Sequence, residues 1–106
     1  MDVRREQDRV VLRLHGELDL ASGPILQREL ASPEIGTTPM VVLDLEHLQF
    51  VDSSGLRIIL LAHQCSRERG QEFAITRGSL QVQRLLSITS LGEHLRIMAS
   101  PDEMLV

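Results

Sequence analysis

The sequence has no tryptophan and no tyrosine, and only two phenylalanines, Phe50 and Phe73. Proteins that stack single-stranded bases need exposed aromatic faces. The net charge of −4 also has the wrong sign for a phosphate backbone. A direct nucleic-acid partner is therefore not expected. One cysteine, Cys65, excludes an internal disulfide and suits a reducing cytoplasm. Long apolar runs are missing too: the longest, Ile58 to Ala62, falls far short of the ~20 residues that span a bilayer. The opening Met1-Asp2-Val3-Arg4-Arg5-Glu6 makes a poor signal peptide. The expectation is a cytoplasmic protein with no membrane span.

What is present is ordinary globular composition, 42% apolar and 25% charged over 106 residues. A chain of this size buries roughly two-thirds of its unfolded surface, enough for one domain over residues 1–106. No internal repeat, low-complexity tract or interdomain linker divides it.

Residues 3–6 and 9–15 read as a hairpin, with Val10, Leu12 and Leu14 alternating against Val11, Arg13 and His15. Gly16 ends the alternation and permits a bulge, and Asp19 follows just past the strand end. Ser22-Gly23-Pro24 starts a helix that Pro33 and Gly36 finish. Met40-Val41-Val42-Leu43 is a continuous apolar strand, the pattern of a strand covered on both faces. Asp44, Glu46 and His47 mark its carboxyl end, and Leu48-Gln49-Phe50-Val51 is a linker. Ser53 to about Arg69 is a helix with a wide apolar side that includes Leu56, Ile58, Ile59, Leu60, Leu61 and Cys65. A strand at Glu72–Thr76 follows, then a helix capped by Ser79 with Leu80, Val82, Leu85 and Leu86 inward. A short strand at Leu95–Met98 and a brief terminal helix from Ser100 complete the chain. The implied fold is α/β: a mixed β-sheet, an opening hairpin then parallel-type crossovers, with about four helices.

In such sheets ligands and partners are met at the carboxyl ends of strands. Asp19, Glu46 and the turn Asp52-Ser53-Ser54-Gly55 converge there. Asp52 or Ser53 can cap the helix, leaving the Ser54 hydroxyl pointing outward in its first turn. Gly55 inside a helix costs about 0.8–1.0 kcal/mol relative to alanine, which suggests close approach of another backbone, from within the fold or from a partner. Taken alone, the box is better explained as a good helix cap.

A nucleophilic serine is not supported. A hydrolase elbow needs Gly-x-Ser-x-Gly, and here Asp52 and Leu56 stand where the glycines would be. Of the four candidate bases, His15, His47, His63 and His94, His63 lies over two helical turns from Ser54. No pair of residues has zinc spacing; His63 and Cys65 point to different helix faces, the former a core-edge histidine and the latter a buried small hydrophobe. Neither an enzyme nor a metal or cofactor is expected.

Gly16-Glu17-Leu18-Asp19, then Val42-Leu43-Asp44-Leu45, then Phe50-Val51-Asp52-Ser53-Ser54-Gly55-Leu56 resemble a STAS domain over essentially the whole chain, specifically the bacterial anti-sigma factor antagonists. Arg57 and Arg77-Gly78-Ser79 depart from the commonest family pattern. The resemblance implies Ser54 as phosphoacceptor, with Ser53 the neighbour that could be confused with it. It implies a partner-binding face that includes Asp19, Leu20, Ser22, Asp52, Ser53, Gly55, Leu56 and Arg57. It further implies an anti-sigma factor with serine kinase activity as partner, a serine phosphatase that resets the switch, and a chain that is monomeric when free. The alternative within the same resemblance is an accessory subunit of a membrane transport or stress-signalling complex, although the chain lacks the spans of fused transporters and the added N-terminal domain of the scaffold proteins.

Overall fold

The computed structural model describes residues 1–88 and 96–98. Its elements are β1 (Asp2–Arg5), β2 (Val10–Leu18), α1 (Gly23–Leu30), α2 (Pro33–Gly36), β3 (Met40–Val51), α3 (Ser53–Glu68), β4 (Glu72–Thr76), α4 (Leu80–Ile88) and β5 (Arg96–Met98). The five strands lie in the order β1-β2-β3-β4-β5, the first pair antiparallel and the rest parallel. This is the mixed α/β sheet that the alternation of strand and helix patterns implies. Each parallel step needs a crossover, and α1 with α2, then α3, then α4 supply them. The terminal helix expected from Ser100 lies outside the described residues, as does Leu95.

Alternate strand residues feed two cores. Val10, Leu12, Leu14 and Leu18 of β2 join Val41, Leu43 and Leu45 of β3 and Phe73 and Ile75 of β4 beneath Leu26, Ile35, Ile58, Ile59 and Val82 of the helices. Val11, Met40, Val42 and Ala74 form a smaller buried cluster. The run Met40–Leu43 is thus buried along its whole length, its successive residues divided between two clusters.

The expected linker Leu48–Val51 is instead the last third of β3. Pairing shows why the sequence misleads. Arg13 pairs with Asp44 and His15 with His47, then Gly16 with Leu48 and Glu17 with Phe50, so β3 carries an extra residue twice. Each bulge shifts the phase of the strand. The inward residues become Leu43, Leu45, Leu48 and Val51, which no period of two describes. Gly16 takes φ +69°, a left-handed backbone that glycine adopts freely, at the irregularity expected there.

Three other local readings change. Pro33 does not finish the first helix but opens α2, with the Ser32 side chain accepting from Ile35 N–H, and this extra turn sends Ile35 into the core. On α3 the buried line runs through Gly55, Ile58, Ile59 and Ser66, leaving Leu60, Leu61 and Cys65 exposed. Helix α4 buries Val82 but leaves Leu80 71% exposed at its first position, before the helix has turned towards the sheet.

One polar cluster sits inside. Asp44 and Thr76 are both fully buried on adjacent strands. Thr76 Oγ1 donates to Asp44 Oδ1 at 2.9 Å and accepts from Leu45 N–H at 2.7 Å. Arg13 Nε donates to Asp44 Oδ2 at 3.1 Å, and Glu46 N–H to Oδ1 at 3.1 Å. Burial pushes the Asp44 carboxyl up, but these donors outweigh it and hold the group below its ordinary value.

Candidate functional site

Leu18 and Val51 are register partners at the ends of β2 and β3, so the two following turns begin side by side. They are joined through Leu18. Asp52 N–H donates to the Leu18 carbonyl at 3.1 Å. Gly55 is buried and packs against that same carbonyl, where a Cβ would collide with the oxygen and meet Leu18 Cγ at 2.8 Å. The close approach inferred from Gly55 is therefore internal. Gly55, expected on the partner-facing surface, is covered by Leu18.

Asp52 is the residue that caps α3, in extended backbone (φ −94°, ψ −177°). Its Oδ1 accepts from Gly55 N–H at 2.9 Å and from the Ser54 hydroxyl at 2.8 Å. The Gly55 N–H, then the Ser54 hydroxyl, hold this carboxyl below its ordinary value, and the Leu20 backbone of the neighbouring turn adds to the effect. Ser54 is half-buried with its hydroxyl turned back onto the capping carboxylate. Ser53 is exposed, and its hydroxyl has no hydrogen bond among the described residues.

The turn after β2 is braced just as tightly. Asp19 Oδ1 accepts from Ala21 N–H at 3.1 Å and Ser22 N–H at 3.0 Å. Asp19 N–H donates to Ser22 Oγ at 3.0 Å, and that hydroxyl lies 2.8 Å from the Glu17 carbonyl and 3.0 Å from Asp19 Oδ1. Ser22 stands at the start of α1 but its side chain caps no helix N–H; it closes the turn instead. The Ser22 N–H, then its hydroxyl, lower the Asp19 carboxyl. Gly23 is seated directly against Ile58 Cδ1, fixing α1 on α3.

The structure thus brings Asp19, Leu20, Ser22, Asp52, Ser53 and Ser54 to one end of the sheet. Leu20 is 78% and Phe50 43% exposed there, an apolar rim beside two carboxylates. Leu56 is half-buried against the core and Arg57 is exposed one turn beyond Ser54. Glu46 does not belong to this end. Because β3 runs on to Val51, it sits five residues back along a strand that rises about 3.3 Å per residue. Two contributors lie within the motif stretches without being expected at the site: Leu18, whose role is a backbone carbonyl and so carries no residue-type signal, and Phe50, placed by the second bulge.

The described histidines are engaged elsewhere. His15 Nε2 is 2.9 Å from Asp2 Oδ2 and its ring stacks on His47 at 5.9 Å, while His63 lies 5.8 Å from the Phe73 ring. Among the described residues no three His, Cys, Asp or Glu are grouped to hold a metal. Among the described residues the only side chain hydrogen-bonded to Ser54 is a carboxylate of lowered pKa, a weak base that leaves the hydroxyl neutral at rest. The arrangement suits a hydroxyl that receives a group.

No helix among the described residues is long and apolar enough to cross a membrane. The family model of the STAS domain matches residues 1–104. The anti-sigma F factor antagonist of Paenibacillus polymyxa is 32% identical over 83 residues, covering 77% of this chain and 71% of that protein. The anti-sigma-B factor antagonist of Listeria monocytogenes is 26% identical over 100 residues, covering 94% and 88%. The crystal structure of an anti-sigma factor antagonist from Mycobacterium paratuberculosis superposes with a TM-score of 0.84 at 21% identity, over 94% of this chain and 85% of that one, a likeness of fold. With the family model matched over nearly its whole length, the chain belongs to the STAS domain family.

Proposed function

We propose that this chain is an anti-sigma factor antagonist switched by phosphorylation of Ser54. Unmodified, it binds an anti-sigma factor that is also a serine kinase, and so frees a sigma factor for transcription. That partner transfers a phosphoryl group from ATP to Ser54 and lets go, and a serine phosphatase resets the chain. The observation that carries this reading is the Ser54 hydroxyl itself. It is half-buried at the start of α3, hydrogen-bonded among the described residues to Asp52 alone, at the end of the sheet that also carries exposed Leu20 and Phe50 and the braced turn at Asp19.

The switch is electrostatic. A phosphoserine adds about −1.5 to −2 charge beside Asp52 and close to Asp19. Within the chain the helix N-terminus offsets part of the repulsion, by about 0.3–1 kcal/mol, so the fold survives. An interface closed over the site must instead desolvate a phosphate beside carboxylates. A penalty of roughly 3 kcal/mol already weakens binding about a hundredfold.

The test is incubation with anti-sigma serine kinases of the source genome and ATP, followed by peptide mass spectrometry. The expected result is one phosphoryl group on Ser54. Modification elsewhere, or none by any such kinase, refutes the proposal. Ser54→Asp is expected to lose kinase binding with a nearly unchanged melt, whereas Ser54→Ala binds and is not modified.

A further inference from the structure

We infer that Asp52 orients the Ser54 hydroxyl and takes up its proton during phosphoryl transfer, so that the acceptor chain carries a reacting group of its own and selects Ser54 over Ser53. The inference rests on the proposed function and deepens it.

The two serines are adjacent, and both precede the first buried residue of α3. They differ in one respect that bears on chemistry. Ser54 Oγ donates its single proton to Asp52 Oδ1 at 2.8 Å, which fixes the rotamer and leaves the two oxygen lone pairs directed away from the carboxylate. The Ser53 hydroxyl has no partner among the described residues and rotates freely. Asp52 is itself held, by Gly55 N–H at 2.9 Å through Oδ1 and by its own N–H on Leu18 at 3.1 Å. A fixed carboxylate therefore presents one of two neighbouring hydroxyls in one direction. Positioning of this kind is what phosphoryl transfer chiefly requires of a protein, because the transition state is loose.

The step balances without a further reagent beyond the partner's ATP. The Ser54 Oγ–Pγ bond forms while the bond from Pγ to the bridging β-oxygen breaks, and that electron pair leaves with ADP. The hydroxyl proton, already aimed at Oδ1, passes to the Asp52 carboxylate and then to solvent. It leaves late, when the new bond to phosphorus has made it acidic, so a weakly basic carboxylate is sufficient.

Asp52→Asn isolates the role, since asparagine also caps helices and keeps an oxygen for the Gly55 N–H but cannot take up a proton. The experiment compares wild type, Asp52→Asn and Ser54→Ala with an anti-sigma serine kinase of the source genome. Kinase affinity is measured with ADP and the single-turnover rate with ATP, and the modified serine is located by mass spectrometry. Expected for Asp52→Asn is an unchanged melt and a single-turnover rate at saturating kinase at least tenfold lower, a loss of rate that exceeds any loss of kinase affinity. Ser54→Ala is expected to bind normally and to leave Ser53 unmodified. A wild-type rate in Asp52→Asn, a loss of affinity that matches the loss of rate, or efficient transfer to Ser53 in Ser54→Ala overturns the inference while the proposed function stands. A wild-type chain that no such kinase modifies overturns both.

Discussion

Replacing Gly55 by alanine sets two physical effects against each other at one position. In an open helix the change stabilises by about 0.8–1.0 kcal/mol, because glycine loses more backbone freedom on folding. Here the added methyl collides with the Leu18 carbonyl oxygen and lies 2.8 Å from Leu18 Cγ and 2.9 Å from the carbonyl carbon, where ordinary contact begins at 3.4 Å. The obstacle is backbone at a strand end, and the same carbonyl accepts from Asp52 N–H at 3.1 Å, so it cannot retreat without stretching that bond. Overpacking costs about 1–3 kcal/mol, and a weakened hydrogen bond adds about 0.5–1.5 kcal/mol. Set against the propensity gain, the net expectation is a loss of about 2 kcal/mol. In a domain of this size that lowers the melting temperature by about 8–16 °C. Far-UV circular dichroism during urea unfolding is the suitable assay, because the chain has no tryptophan to report by fluorescence. A Gly55→Ala variant that is more stable than wild type by about 1 kcal/mol, with the same dependence on urea, would refute the internal close approach.

Other consequences can be measured in the same way. Thr76→Val removes a donor to buried Asp44 and the acceptor of Leu45 N–H, and is expected to cost about 2–4 kcal/mol in urea unfolding. Because the folded-state Asp44 carboxyl lies below its ordinary value of 3.8, it favours the folded state above that pH, and this contribution is lost as pH falls through the lowered value. Asp44→Asn is accordingly expected to flatten the acid limb of a stability–pH curve; an unchanged limb would show that Asp44 does not contribute. Cys65 is exposed on α3. A disulfide reagent is expected to titrate one thiol per native chain about as fast as in denaturant, and protection would contradict that exposure.

How much of this was legible in the residues depends on what kind of signal each element carries. Strand β4 and the start of α3 follow from apolar runs and cap chemistry, because those signals are local. The last third of β3 does not, since its two extra residues exist only in relation to β2. Leu60, Leu61 and Cys65 fall outside the buried line of α3 because a helix rich in apolar residues does not reveal which line turns inward; the small residues Gly55 and Ser66 mark that line as much as Ile58 and Ile59 do. At the candidate site, the Asp52 cap and the Ser54 hydroxyl could be foreseen from adjacent residue types. The joining of the two turns could not, because Leu18 acts through a carbonyl that every residue possesses.

The seat of Gly55 on Leu18 also divides the box Asp-Ser-Ser-Gly into letters with separate reasons to exist. The aspartate starts a helix, and the glycine lets that helix begin against a neighbouring strand. A chain of the same architecture that had no kinase to meet would need both for folding alone. Searching sequences for the whole box therefore gathers this kind of corner, modified or not. Under the proposed function, the letter that separates a switch from a mere corner is the second serine, whose replacement by alanine would leave the Asp52 cap and the Gly55 seat in place.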